Sequence, residues 1–190
     1  AKLCAQRDVL LIADEIQTGL GRTGKLFALD HENVKPDLLI LGKALGGGVY
    51  PVSAVVGRRS VMEVFDAGSH GSTFGGNPLA CAIAREALRV IIDEEFAESA
   101  AERGEELRAL LAGLRSPHLV EIRGKGLLIG IELDVAARPY VYALAQHGVL
   151  TKETHARVLR ICPPLIISAH EIELLATRLI TGFAAAEAVG

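Results

Sequence analysis

Tryptophan is absent, methionine occurs once, and the aromatic residues are limited to five Phe and three Tyr among 190 positions. A core for this chain must therefore be built from aliphatic and Ala side chains, which a hydrophobic content of 50% can supply. No run of Lys and Arg occurs and the formal net charge is −3, which argues against nucleic acid or an anionic membrane surface as a partner. No apolar run approaches the length of a membrane span, and no basic-then-apolar leader precedes the first strand. Cysteine is scarce. Cys4, Cys81 and Cys162 are far apart, odd in number and without metal-ligand spacing. Reduced thiols in a cytoplasmic protein are expected, with no disulfide framework and no metal centre.

What the chain does have is concentrated between Val9 and Gly48. Two short apolar runs, Val9–Ala13 and Leu38–Leu41, are rich in Val, Ile and Leu and do not alternate. They read as parallel strands covered on both faces. Asp14-Glu15 follows the first run and Lys43 the second, so a carboxylate and an amine arrive at the carboxyl edge of one sheet. Ligands bind at that edge in open parallel sheets. Between the runs, Gly19-Leu20-Gly21-Arg22-Thr23-Gly24 matches G-x-G-x-x-G. A dinucleotide site needs the first Gly in the turn directly after the strand and an acidic residue ending the next strand. Neither holds here, and the segment reads as a glycine-rich wall of a site.

Farther along, Pro51–Gly57 is expected as a strand and Arg59–Phe65 as a helical turn. Asn77-Pro78 opens a helix whose buried stripe is Leu79, Ile83, Ala87, Leu88 and Ile91. Beyond residue 95 the composition shifts. Helices are expected at Phe96–Leu114 and Pro139–Gln146. Strands are expected at Leu119–Ile122, Leu127–Leu133, Val149–Lys152 and Val158–Ile161. Ser168-x-x-Glu171 is a capping box for a last helix that must pack on a sheet through Ile172, Leu175, Ala176, Leu179, Ile180 and Phe183. Two domains follow, 1–95 and 96–190.

Three motifs, DEIQTG from Asp14, KPDLLILGKALGGG from Lys35 and HGSTFGGNPL from His70, resemble the class III (ornithine-type) aminotransferases, which use pyridoxal 5'-phosphate. The resemblance implies an α/β fold, the pyridoxal-phosphate transferase fold type I. Residues 1–95 would be the second part of its large-domain parallel sheet, and 96–190 its small C-terminal α+β domain. Position by position, Lys43 would bond the cofactor covalently and Asp14 would pair with the pyridine nitrogen. Gln17 would contact the ring 3-oxygen. Thr73 and Ser72 would reach the phosphate of a neighbouring subunit's cofactor, implying a dimer. Arg160, in LRICPPL, would fork onto a substrate carboxylate. Glu15 is expected to hold local structure instead.

Within that family GVYPVSAVV and ENVKPD lean towards enzymes acting on ornithine, whereas ALGGG leans towards those acting on acetylornithine. The implied reaction moves the δ-amino group of ornithine to 2-oxoglutarate, giving glutamate 5-semialdehyde and glutamate. The resemblance covers about the second half of a family member. A complementing N-terminal-half polypeptide is therefore expected as a partner. A non-catalytic remnant that only binds a related subunit is the competing expectation.

Overall fold

A computed structural model describes residues 1–188. The described residues form two compact units, Ala1–Glu95 and the part from Phe96 on.

The first unit opens with helix α1 (Lys2–Gln6) and holds three strands, β1 (Ile12–Asp14), β2 (Leu38–Leu41) and β3 (Ala54–Gly57), ordered β1-β2-β3. β1 runs parallel to β2, with Ile12 opposite Leu38 and Asp14 opposite Ile40. The first strand starts later than the apolar run predicts. The Val9 amide donates to the Cys4 carbonyl at 2.9 Å and so belongs to the end of α1. The Leu11 amide donates to Asp37 Oδ2 at 2.7 Å, a side-chain bond where a ladder bond would otherwise form. Asp37 is held in turn by Arg58 at 2.5 Å.

β3 is antiparallel to β2, with Leu41 opposite Ala54 and Leu38 opposite Gly57, a direction the sequence left open. The cover expected on both faces is not found among the described residues, since Val9, Leu10, Ile12, Val55 and Val56 are all more than half exposed. Three strands and one long helix supply too little apolar surface to bury them. That helix, α3 (Pro78–Asp93), follows the short α2 (Arg59–Met62). Asn77 caps it by accepting the Ala80 amide at 2.9 Å. Its extensive packing partner is a 3₁₀ turn over Lys43–Gly46. Ala80 and Ile91 are buried, but Leu79, expected in the stripe, is 58% exposed because that turn does not reach round to it.

The second unit is a four-stranded antiparallel sheet, order β4-β5-β7-β6, with three helices on one face. The strands are β4 (Leu119–Lys125), β5 (Leu128–Leu133), β6 (Lys152–Thr154) and β7 (Val158–Ile161); the helices are α4 (Phe96–Leu111), α5 (Arg138–Gln146) and α6 (Ala169–Glu187). Strict alternation buries Ile129, Ile131 and Leu133 of β5 and Leu159 and Ile161 of β7 under the helices. Ile172, Ala176, Leu179 and Phe183 of α6 complete that core, the Phe183 ring lying 4.9 Å from Tyr140. A Cβ on Gly104 of α4 would come within 2.1 Å of the Gly126 carbonyl oxygen, so only glycine allows α4 this close to the β4–β5 turn. The capping box forms as expected: Ser168 Oγ accepts the Glu171 amide and the Glu171 carboxylate accepts the Ser168 amide at 2.8 Å.

Two differences stand out in this unit. The strand expected over Val149–Lys152 begins only at Lys152, because the Val149 amide closes α5 on the Leu144 carbonyl at 2.9 Å. Ile180, expected on the packed face, is 38% exposed. It lies about 70° round the helix from the midpoint of Ala176 and Leu179, at the margin of the stripe.

Candidate active site

Within the first unit the chemistry gathers at the carboxyl edge of β1 and β2. Asp14 ends β1, and its Oδ1 accepts the Ile16 amide at 3.1 Å, a local turn that fixes the carboxylate at the edge. Its side chain is exposed. Glu15 behaves differently. It is buried at 3% exposure, its Oε1 accepting the Leu29 amide at 2.9 Å and its Oε2 accepting the Thr18 hydroxyl. Its own amide extends the parallel ladder to the Ile40 carbonyl at 3.0 Å. Glu15 thus ties Thr18 to Leu29 across the loop, and Gln17, between Glu15 and Thr18, is exposed.

The G-x-G-x-x-G segment has no helix starting at its last glycine. The next helical residues are a 3₁₀ turn at Ala28–His31. His31 Nε2 donates to the Thr23 carbonyl at 3.0 Å, closing the segment on itself.

Lys43 opens the 3₁₀ turn beyond β2 with φ of 43°, a left-handed conformation uncommon for a non-glycine residue. Backbone strain of this kind persists only where the surroundings enforce it and clusters at working sites. The Lys43 side chain is exposed and has no ion pair among the described residues. It borders a cleft of about 470 Å³ whose other walls are Pro51, Val52 and Ser53, then Phe74, Gly75, Gly76 and Ala80. Lys43 and the Phe74–Gly76 end of the HGSTFGG loop thus border one cleft. Ser72 and Thr73 do not line this cleft. Ser72 Oγ accepts the Gly75 amide at 2.9 Å, and Thr73 is exposed.

Ser53 and Phe74 were not read from the sequence. Ser53 reaches the site because β3 is antiparallel: its start lies where β2 ends. Phe74, 77% exposed in a loop of Gly, Ser and Thr, carried the one available signal, a large apolar side chain with nothing nearby to bury it.

Arg160 belongs to the second unit, on the sheet face turned away from the helices. With Arg123, Gly130, Thr154 and Val158 it lines a cleft of about 450 Å³. Arg123 is committed to Glu132 and, at 3.2 Å, Glu121. The bond to Glu132 holds its guanidinium above its usual pKa. No carboxylate pairs with Arg160 among the described residues.

Residues 1–182 match the class-III aminotransferases, and the chain belongs to that family. Its members use pyridoxal phosphate. Over 171 residues the chain is 56% identical to the ornithine aminotransferase of Macrococcus caseolyticus, a match covering 90% of this chain and 43% of that protein. The ornithine aminotransferase of Toxoplasma gondii, whose active site holds pyridoxal phosphate at partial occupancy, is 48% identical with a TM-score of 0.93, over 99% of this chain and 46% of that one. The acetylornithine aminotransferase of Elizabethkingia anophelis is similar at 44% identity and a TM-score of 0.87, over 97% of this chain and 50% of its own. The chain spans about half the length of these relatives, or less.

Proposed function

We propose that this chain is the C-terminal half of an ornithine aminotransferase, moving the δ-amino group of ornithine to 2-oxoglutarate. The observation that carries the reading is the sheet edge itself: Asp14 and Lys43 leave neighbouring parallel strands at one end. The first unit is the later part of a cofactor-binding large domain, and the second is the small domain. The donors fit pyridoxal phosphate: an amine without an ion pair among the described residues, a carboxylate fixed at a strand end, and a loop carrying the Ser72 and Thr73 hydroxyls. When bound, that cofactor supplies an electron sink for a carbanion next to the transferred nitrogen.

The roles of the chain's own residues follow. Lys43 would hold the cofactor through its amine and would carry a proton to and from the substrate carbon. Asp14 would keep a proton on the ring nitrogen through its negative charge. Gln17 would hold the ring 3-oxygen. Ser72 and Thr73 offer hydroxyls to a phosphate, that of a second subunit in a dimer. Arg160 binds a substrate carboxylate as a planar fork. The remaining walls come from a complementing N-terminal half, since the matched relatives are about twice as long. Among the described residues no helix is long and apolar enough to cross a membrane. The cysteines Cys4, Cys81 and Cys162 are thiols, not disulfides, which supports placing the enzyme in the cytoplasm.

Acetylornithine is the second reading, favoured by the likeness to the Elizabethkingia enzyme. The deciding experiment co-expresses this chain with a polypeptide covering the missing length and compares turnover on the two amines. Faster turnover of ornithine supports the proposal. A stable complex that stays colourless and inactive favours a remnant that only binds a related subunit.

A further inference from the structure

The ladder of the second unit lines up Arg123 opposite Gly130, Gly130 opposite Arg160, and Arg160 opposite Lys152. These residues form one row across all four strands and share one face. It is the open face, because the next residues along each central strand, Ile129, Ile131, Leu159 and Ile161, are buried under the helices.

Of the three cations in the row, only Arg123 is neutralised, by Glu121 and Glu132. Glu153, adjacent to Lys152, faces the helices and pairs with Arg138. Among the described residues no acidic side chain pairs with Arg160 or Lys152. Like charges directly opposite on two strands destabilise a sheet. An anion between them turns the repulsion into a binding site. Gly130 keeps the floor beside Arg160 low, since a Cβ there would already press to 3.2 Å from Val158 Cγ1.

We infer that Lys152 is a second carboxylate-binding cation, acting with Arg160 on the same carboxylate. Arg160 supplies the planar fork and Lys152 a mobile point charge from the edge strand. This makes Lys152 a specificity-determining residue for substrates ending in a carboxylate. The inference rests on the reading of Arg160 given above.

The test uses the whole 190-residue chain, with glutarate as an unreactive dicarboxylate probe and amide NMR shifts at Gly130, Lys152 and Arg160 as the readout. Inorganic phosphate at matched ionic strength is the comparison. Glutarate is expected to move these amides more than phosphate does. K152Q is expected to weaken glutarate roughly two- to five-fold, whereas R178Q, which removes one positive charge from α6 on the helix side of the sheet, leaves it unchanged. Equal losses in K152Q and R178Q, no loss in K152Q, or an equal response to phosphate overturns the role of Lys152. R160Q separates the two readings: unchanged glutarate shifts in R160Q overturn the Arg160 assignment itself, and loss there with none in K152Q overturns only the inference about Lys152. Dispersed spectra of each variant confirm folding.

Discussion

Asp14 lies directly opposite Ile40 in the parallel ladder of β1 and β2, and Lys43 follows Ile40 by three residues. A carboxylate and an amine are therefore delivered to one edge by backbone pairing alone, whatever the conformations of their side chains.

In the complemented enzyme, borohydride reduction is expected to trap the cofactor on Lys43, and Lys43→Ala to abolish both trapping and turnover. Peptide mapping of the reduced protein checks this. Cofactor found on Lys25, Lys125 or Lys152 instead would refute the site.

Asp14→Ala is expected to retain cofactor, because the phosphate contacts remain, yet to lose two or more orders of magnitude in turnover, roughly the range seen when one fixed electrostatic partner is removed. Cofactor absorbance and kcat, measured on the same preparation, separate the two effects. A variant that keeps near-normal kcat would show that Asp14 serves only its own turn.

Arg160→Lys is expected to raise the KM for the 2-oxo acid with little change in kcat, since a point charge replaces a bidentate fork. A fall in kcat at unchanged KM would place Arg160 elsewhere in the reaction.

Gly104→Ala tests the packing of the second unit. The added methyl group would meet the Gly126 carbonyl oxygen at 2.1 Å, which backbone on both sides prevents from yielding easily. A loss of about 1–3 kcal/mol is expected in denaturant unfolding. An unchanged midpoint would mean that α4 can shift away at no cost.

The capping box gives a pH dependence. The Ser168 backbone amide, then its hydroxyl, hold the Glu171 carboxyl below its usual pKa. A carboxylate lowered on folding stabilises the protein above its unfolded pKa, and that contribution disappears as pH falls through the lowered value. The wild type should therefore lose stability below about pH 4.5 partly through Glu171, and Glu171→Gln should flatten that part of the profile. Thermal midpoints across the acid range, wild type against variant, check the difference; parallel curves would exclude the linkage.

Much of this was legible from local pattern. Asn77-Pro78 and Ser168-x-x-Glu171 announce helix starts because capping is settled within four residues. The alternation of Ile129, Ile131 and Leu133 marks a half-buried strand for the same local reason. The motifs around Asp14, Lys43 and His70 carry the resemblance to the family by themselves. Tertiary structure alone decided the rest. Strand direction put Ser53 beside Lys43, and an apolar run carries no information about which way its neighbour runs. The Asp37 carboxylate, 26 residues away, displaced the start of β1 by bonding the Leu11 amide. The alignment of Arg123, Gly130, Arg160 and Lys152 in one row depends on the register of three strand pairs, which pairing across the sheet fixes and sequence spacing does not.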